Sequence, residues 1–163
     1  MATPSPAAPP FHIALIEPEI PPNTGNIARL CAATGTELHL IGTLGFSLDD
    51  RYLRRAGLDY WEHVRLHRWN SLAELHVVLP SSRYFYLSTK ASRSYLEVTY
   101  KKGDVLVFGR ETKGLPEELL QANPETAITI PMPANAVRSL NLSTSAGIVL
   151  YEALRQTGAL APC

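Results

Sequence analysis

Three clusters of polar and glycine residues carry the side-chain types that a chemical site needs. In Asn23-Thr24-Gly25-Asn26-Ile27-Ala28-Arg29, two carboxamides and a glycine precede a guanidinium. At a strand-to-helix junction such a segment offers free N–H groups and a helix dipole to an anion, and Arg29 can fork onto a phosphate or ribose oxygen. The competing reading is a helix cap followed by a surface arginine. In Leu106-Val107-Phe108-Gly109-Arg110-Glu111-Thr112-Lys113-Gly114-Leu115-Pro116, an apolar run meets two glycines and a charged trio. Glycines allow close backbone approach to a ligand, and Glu111 falls at a strand's C-terminal end, where α/β folds gather ligand contacts. An ordinary turn with solvated charges is the alternative. In the third cluster, Ile130-Pro131-Met132 is followed by Arg138-Ser139-Leu140-Asn141-Leu142-Ser143. Ser139, Asn141 and Ser143 offer caps and ligand hydrogen bonds, and a cap accounts for one of them.

These clusters need elements to hold them. Short apolar runs predict strands over residues 11–16, 37–42, 63–67, 83–88, 105–109 and 127–131. Between them, Ile27, Leu30, Cys31 and Thr34 repeat at helical spacing up to Gly35, and PEIPPNTGN before them reads as a turn-rich loop. Further helices are predicted over 49–56, 71–79 and 116–122, and the longest over 141–156. Its Leu142, Ala146, Val149 and Leu150 can face a core, leaving Ile148, Tyr151 and Leu154 for a second surface. Strand and helix alternate, which predicts an α/β fold with a largely parallel sheet and flanking helices. The chain reads as a flexible tail at 1–10, one domain at 11–158 and a short tail at 159–163.

With 163 residues, 45% hydrophobic and 18% charged, the composition suits one ordinary globular domain. No apolar run of about twenty residues predicts a membrane span, and the Pro/Ala-rich start lacks the pattern of a secretory signal. Fifteen basic and fifteen acidic residues balance, which argues against a protein that coats nucleic acid. Local clusters remain at Arg51/Arg54/Arg55, Lys90/Arg93 and Lys101/Lys102, and by clustering alone they read as solvated surface. Cys31 and Cys163 make no CxxC pair, so neither a disulfide framework nor a zinc site is expected, and a reduced, cytoplasmic setting follows. GxGxxG, GxxxxGK[ST] and GxSxG are all missing, which removes the dinucleotide, ATP-loop and serine-hydrolase signatures. His12, His39, His63, His67 and His76 lack metal-ligand spacing and read as surface or half-buried residues, with no metal expected.

The combination says more than any one cluster. NTGNIAR, LVFGRETKGLP and IPM…RSLNLSTSAGIVLYEALRQ resemble the three motifs of the SPOUT superfamily of methyltransferases. EPEIPPNTGNIARLCAATG and LRRAGLDYW are similar, more narrowly, to the tRNA wobble-nucleotide cytidine/uridine 2′-O-methyltransferases. The resemblance covers roughly residues 11–158. It implies a C-terminal deep trefoil knot, S-adenosylmethionine bound by the knot loops, S-adenosylhomocysteine as product, tRNA as substrate and an active site at a homodimer interface. By motif match it implies cofactor contacts at Leu87, Gly109, Gly114, Ile130, Met132, Ser139 and Leu140. The catalytic set it implies is Asn23, Arg29, Glu111, Ser139 and Asn141. Arginine is a poor base, so Arg29 is read as a holder of phosphate and developing alkoxide, its guanidinium fixed by Asn23 and Glu111. Alternatives are transfer to ribosomal RNA or another tRNA site, or a non-catalytic RNA-binding module that keeps the knot. Two departures stand out. Five residues, Pro133 to Val137, fill a loop where four are common, and Arg110 occupies a place usually held by a small residue or proline, where it can reach RNA or face water.

Overall fold

A computed structural model describes residues 8–49, 51, 53, 55 and 61–161. The strands are β1 (His12–Ile16), β2 (Glu37–Ile41), β3 (Leu66–Trp69), β4 (Tyr84–Leu87), β5 (Arg93–Ser94), β6 (Val105–Phe108) and β7 (Ala127–Thr129). The helices are α1 (Pro21–Thr34), α2 (Leu72–Val78), α3 (Glu117–Ala122) and α4 (Leu142–Gln156). All seven strands join one sheet in the order β3-β2-β1-β6-β4-β7-β5, and every pairing is parallel.

Alternation along each strand divides the core. Ile13, Leu15, Leu106 and Phe108 face α1 and α4, whose Ile27, Cys31, Ala146, Val149 and Leu150 cover them. Ala14, Ile16, Val105 and Val107 face the other way, under Leu75 of α2 and Leu119 and Leu120 of α3. Strands buried on both faces read as continuous apolar runs, which is why VLVF and HIALI are visible in the sequence. Cys31 sits in the first layer at 1% exposure, and burial pushes its thiol pKa well up.

Several expectations needed correction. The first helix begins at Pro21, so the Asn23–Asn26 motif lies inside it. Prolines that look like breakers occupy the first turn, where a missing N–H costs no hydrogen bond. Residues 61–63 form a 3₁₀ turn and the strand predicted at 63–67 runs instead from Leu66 to Trp69. β5 is too short to show any period. Gly35 does end α1, in the left-handed conformation (φ 71°), and Ser71 does cap α2. Leu154 was expected on a second apolar surface of α4, but it is 2% exposed and belongs to the core. Tyr151 remains 44% exposed and Ile148 half-buried. Of the helix expected at 49–56, residue 49 lies in a turn and 51, 53 and 55 are helical; 50, 52, 54 and 56, with most of LRRAGLDYW, lie outside the described residues, as do 1–7, 162 and Cys163. No helix among the described residues is long and apolar enough to cross a membrane.

Candidate functional site

The C-terminal ends of β6, β4 and β7 lie side by side, and the loops that leave them wall a cavity of about 440 Å³. That volume lies within the ordinary range for small-molecule sites. Leu87, Gly109 and Ile130 stand at or just past the three strand ends. Gly114, Met132, Ser139 and Leu140 complete the apolar and backbone lining expected from the motifs. Asn23, Glu111 and Asn141 line the same cavity. Arg29 does not. It is exposed on α1, about 9 Å further along the helix axis than Asn23.

Asn141, Asn23 and Glu111 are each held by hydrogen bonds. Asn141 is the N-cap of α4, its Oδ1 accepting from the N–H groups of Ser143 (2.9 Å) and Thr144 (3.2 Å). Its Nδ2 donates to Asn23 Oδ1 at 3.0 Å. The buried Asn23 is thereby oriented, with its own Nδ2 donors left for the cavity. The Glu111 carboxylate accepts from the backbone N–H of Glu19 (3.0 Å) and of Ile20. The motif reading had Asn23 and Glu111 fix the Arg29 guanidinium; here the Glu111 carboxylate is turned onto the backbone that leads into α1.

The Glu111 contact is half of a reciprocal latch. Glu19 Oε1 accepts from Thr112 Oγ1 (2.7 Å) and from Thr112 N–H (3.2 Å). These bonds, ahead of the charges of Arg110 and Lys113, hold the Glu19 carboxyl below its ordinary range. Arg110 Nη2 donates to Glu17 Oε2 at 2.8 Å, so this arginine is tied to the loop after β1 while its side chain stays about one-third exposed on the wall of the cavity. The turn closes through Arg110 N–H to Gly114 carbonyl (3.2 Å) and Gly114 N–H to Arg110 carbonyl (2.8 Å). A Cβ at Gly109 would lie 2.1 Å from the Gly114 carbonyl carbon, so the turn excludes every other residue there.

The extra residue of the Pro133–Val137 loop is accommodated outward. Met132 and Arg138 both still line the cavity, while the loop between them is exposed and Asn135 takes a left-handed φ of 53°. Sequence reading missed Glu17, Glu19 and Thr112, and also Lys90, which lines the cavity and pairs with Glu117 at 2.8 Å. The acids of the EPE segment carry no period. Their only sequence signal is two carboxylates in the turn before a proline-started helix.

A second polar assembly, at the other end of the sheet, was also missed. His12 and His39 were read as surface or half-buried, but they are 5% and 2% exposed. Parallel register places them beside Glu37 and His67, with His12 Nδ1 3.5 Å and His67 Nε2 3.4 Å from Glu37 Oε2. Trp69 Nε1–H donates to His39 Nδ1 at 3.0 Å. Indole is only a donor, so neutral His39 keeps its proton on Nε2 and gives it to His12 Nδ1, 3.0 Å away. His12, Glu37 and His39 are close enough together to suggest a metal site. The Trp69 bond opposes it, because an Nε2-ligating His39 would turn an Nδ1–H against the indole N–H. Burial, then the neighbouring imidazoles of His12 and His67, pull the His39 pKa down to about 3.

The model of the SpoU rRNA Methylase family matches residues 10–151. A tRNA (cytidine(34)-2′-O)-methyltransferase of Methylovorus glucosotrophus is 52% identical over 147 residues, 90% of this chain and 95% of its own. Another of that name, from Saccharophagus degradans, is 51% identical over 91% of this chain and 96% of its own. A solved structure described as giving insights into 2-OH methylation of C/U34 on tRNA superposes with a TM-score of 0.85 at 48% identity, over 90% of this chain and 95% of that one. An AdoMet-bound rRNA methyltransferase from Sinorhizobium meliloti gives a TM-score of 0.80 at 28% identity, over 92% of this chain but 57% of that one.

Proposed function

The chain belongs to the SpoU methylase family, and we propose that it methylates the ribose 2′-hydroxyl of the wobble nucleotide, position 34, of tRNA. The observation that carries this reading is the cavity itself. Three adjacent strand ends and the β7–α4 loop enclose it, with the Asn23–Asn141 amide pair on its wall.

The lining fits S-adenosylmethionine. Apolar Leu87, Ile130, Met132 and Leu140 suit the faces of an adenine, while the glycine turn at 109–114 brings backbone N–H and C=O groups within reach of its edge. When bound, the cofactor supplies an electrophilic methyl group on a sulfonium centre, leaving S-adenosylhomocysteine. Asn23 Nδ2 and Ser139 Oγ hold the ribose hydroxyl in line. Glu111 acts through structure, fixing the turn before α1 that presents Asn23. Alignment in a shielded cavity supplies much of the rate.

Arg29 sits outside this cavity but on α1, which packs against α4. We read the active form as a homodimer joined through α1 and α4, in which the exposed Tyr151 is covered and Arg29 serves the cavity of a second copy. There it binds the phosphate and the developing alkoxide. The C-terminal third is read as a deep trefoil knot. β7 lies beyond β4 while α4 returns across β6 to α1, a path consistent with such threading. The cytoplasm, where tRNA is, is the compartment this activity requires.

The test is labelled-methyl transfer from S-adenosylmethionine to total tRNA, followed by nucleoside mapping. Label in 2′-O-methylcytidine or a 2′-O-methyluridine at position 34 is the expected result. Label at another site, or in ribosomal RNA only, sinks the assignment.

A further inference from the structure

A second cavity, of about 590 Å³, opens on the same edge of the sheet beyond β2 and β3. Its walls come from the loop after β2, with Thr43, Phe46 and Ser47, and from the end of β3, with Arg68 and Asn70. Arg68 lies opposite Leu40 in the register, so it projects on the α1 side of the sheet. Among the described residues, no carboxylate lines this cavity. The nearby Glu74 is turned onto the backbone N–H of Asn70 at 2.7 Å.

Four arginines elsewhere are held in ion pairs. Arg65 pairs with Glu37, Arg83 with Asp104, Arg110 with Glu17 and Arg155 with Glu152. Arg68 makes no ion pair among the described residues, although the chain has as many acids as bases. An unneutralised guanidinium beside hydroxyl and carboxamide groups is a site for a phosphate oxygen. The half-buried ring of Phe46 shares the cavity, and an aromatic face beside a cationic group is how single-stranded RNA is held, base on ring and phosphate on charge.

The cavity is also fixed relative to the methyl-transfer site. Gly45 N–H donates to the Pro18 carbonyl at 2.9 Å, and Glu17 N–H to the Ile41 carbonyl at 2.8 Å. A Cβ on Gly45 would lie 2.9 Å from Glu19 Cα, so the two loops are in backbone contact. Glu19 is in turn latched to Thr112 on the first cavity. β3, which carries Arg68, and β6 are three strand spacings apart, about 14 Å, a span that about two nucleotides of extended chain can bridge.

We propose that this second cavity is an RNA subsite, in which Arg68 holds a backbone phosphate and Phe46 stacks on the base of a nucleotide flanking the one that is methylated. The inference rests on the RNA methyl-transfer reading above. The probe is a fluorescein-labelled anticodon stem-loop, its binding followed by anisotropy across a salt series, with methylation kinetics in parallel. In Arg68→Gln the Kd and the KM for RNA should rise about tenfold, with kcat and S-adenosylhomocysteine affinity unchanged. The slope of log Kd against log salt should fall by about 0.7, the loss of one single-strand phosphate contact. Arg68→Lys should keep the slope. Thr43→Glu, an exposed loop position, should weaken binding similarly and decides the matter if Arg68→Gln does not fold. Wild-type Kd and slope in both variants would overturn the subsite, as would a wild-type protein that fails to bind the stem-loop at low salt. Wild-type protein that binds the stem-loop yet transfers no methyl group would count against the catalytic reading alone, and the subsite would still be judged on Kd.

Discussion

The two ends of the sheet handle polar groups in opposite ways. At the N-terminal end, the imidazoles of His12 and His39, the Glu37 carboxylate and the Trp69 indole turn on one another, with the His67 ring stacked on His39. At the C-terminal end, Asn23 and Asn141 are fixed from behind but keep hydrogen-bonding capacity toward an open cavity, which Ser139 also lines. A titratable cluster is therefore not by itself a site. What separates the two ends is whether support leaves a group spent or available. Substitutions at the C-terminal end should cost activity more than stability, and those at the N-terminal end the reverse.

The largest expected effect is at Arg29. Arg29→Ala should lower kcat by about 100-fold or more while leaving S-adenosylhomocysteine binding, measured by calorimetry, near normal. Mixing it with a cavity-defective chain should restore part of the activity, because a heterodimer keeps one whole site. Turnover at the wild-type rate in the mutant removes Arg29 from the mechanism. Tyr151→Asp should abolish dimer and activity together, read by light scattering and methyl transfer on one sample, since a carboxylate is costly to bury. A fully active monomer would show that one chain suffices.

Gly109→Ala should lose cofactor binding altogether, because the new methyl collides with the backbone across the turn. Saturable S-adenosylhomocysteine binding in that variant would contradict the turn's role. A smaller effect is expected of Glu19→Ala, which opens one half of the latch. The KM for S-adenosylmethionine should rise about fivefold with kcat little changed, because the turn at 109–114 loses the two solvent-exposed bonds that Thr112 donates to Glu19 Oε1. An unchanged KM would mean that Glu111 holds the turn alone.

The smallest effect on activity belongs to the N-terminal end. His39 is neutral when folded, with its pKa near 3, and takes a proton when unfolded below about 6.5. Its contribution to stability is thus complete above about pH 6.5 and declines as pH falls toward 3. By pH 5 the loss is on the order of 2 kcal/mol, a drop of about 4–8 °C in Tm. His39→Leu should flatten that dependence and leave kcat near wild type at pH 8. An equally steep decline in the variant would place the titration elsewhere.

Much of this fold was legible because buried parallel strands are short apolar runs and Gly35 and Ser71 punctuate helices openly. The cavity residues were legible only as a set, since Gly109, Ser139 and Asn141 each have an ordinary explanation. What stayed hidden depends on register and crossing loops. Glu19 and Thr112 meet across 93 positions, and His12, His39 and His67 meet because three parallel strands place them on one face. No local spacing encodes either contact. Arg29 was legible as a residue type but not in its placement, because α1 starts a full turn earlier than the prolines suggested.

Cys31 gives the molecule an internal reporter. Its sulfur is sealed between α1 and the sheet, and its thiol is held protonated, so an alkylating reagent can reach it only when the α1–α4 layer lifts. In a chain whose Cys163 has been changed to serine, the rate of alkylation would count those openings, in the same way that exchange of a protected amide does. A ligand that ties the β1 and β6 loops together should slow that clock, which would make labelling rate a readout of occupancy requiring no RNA at all.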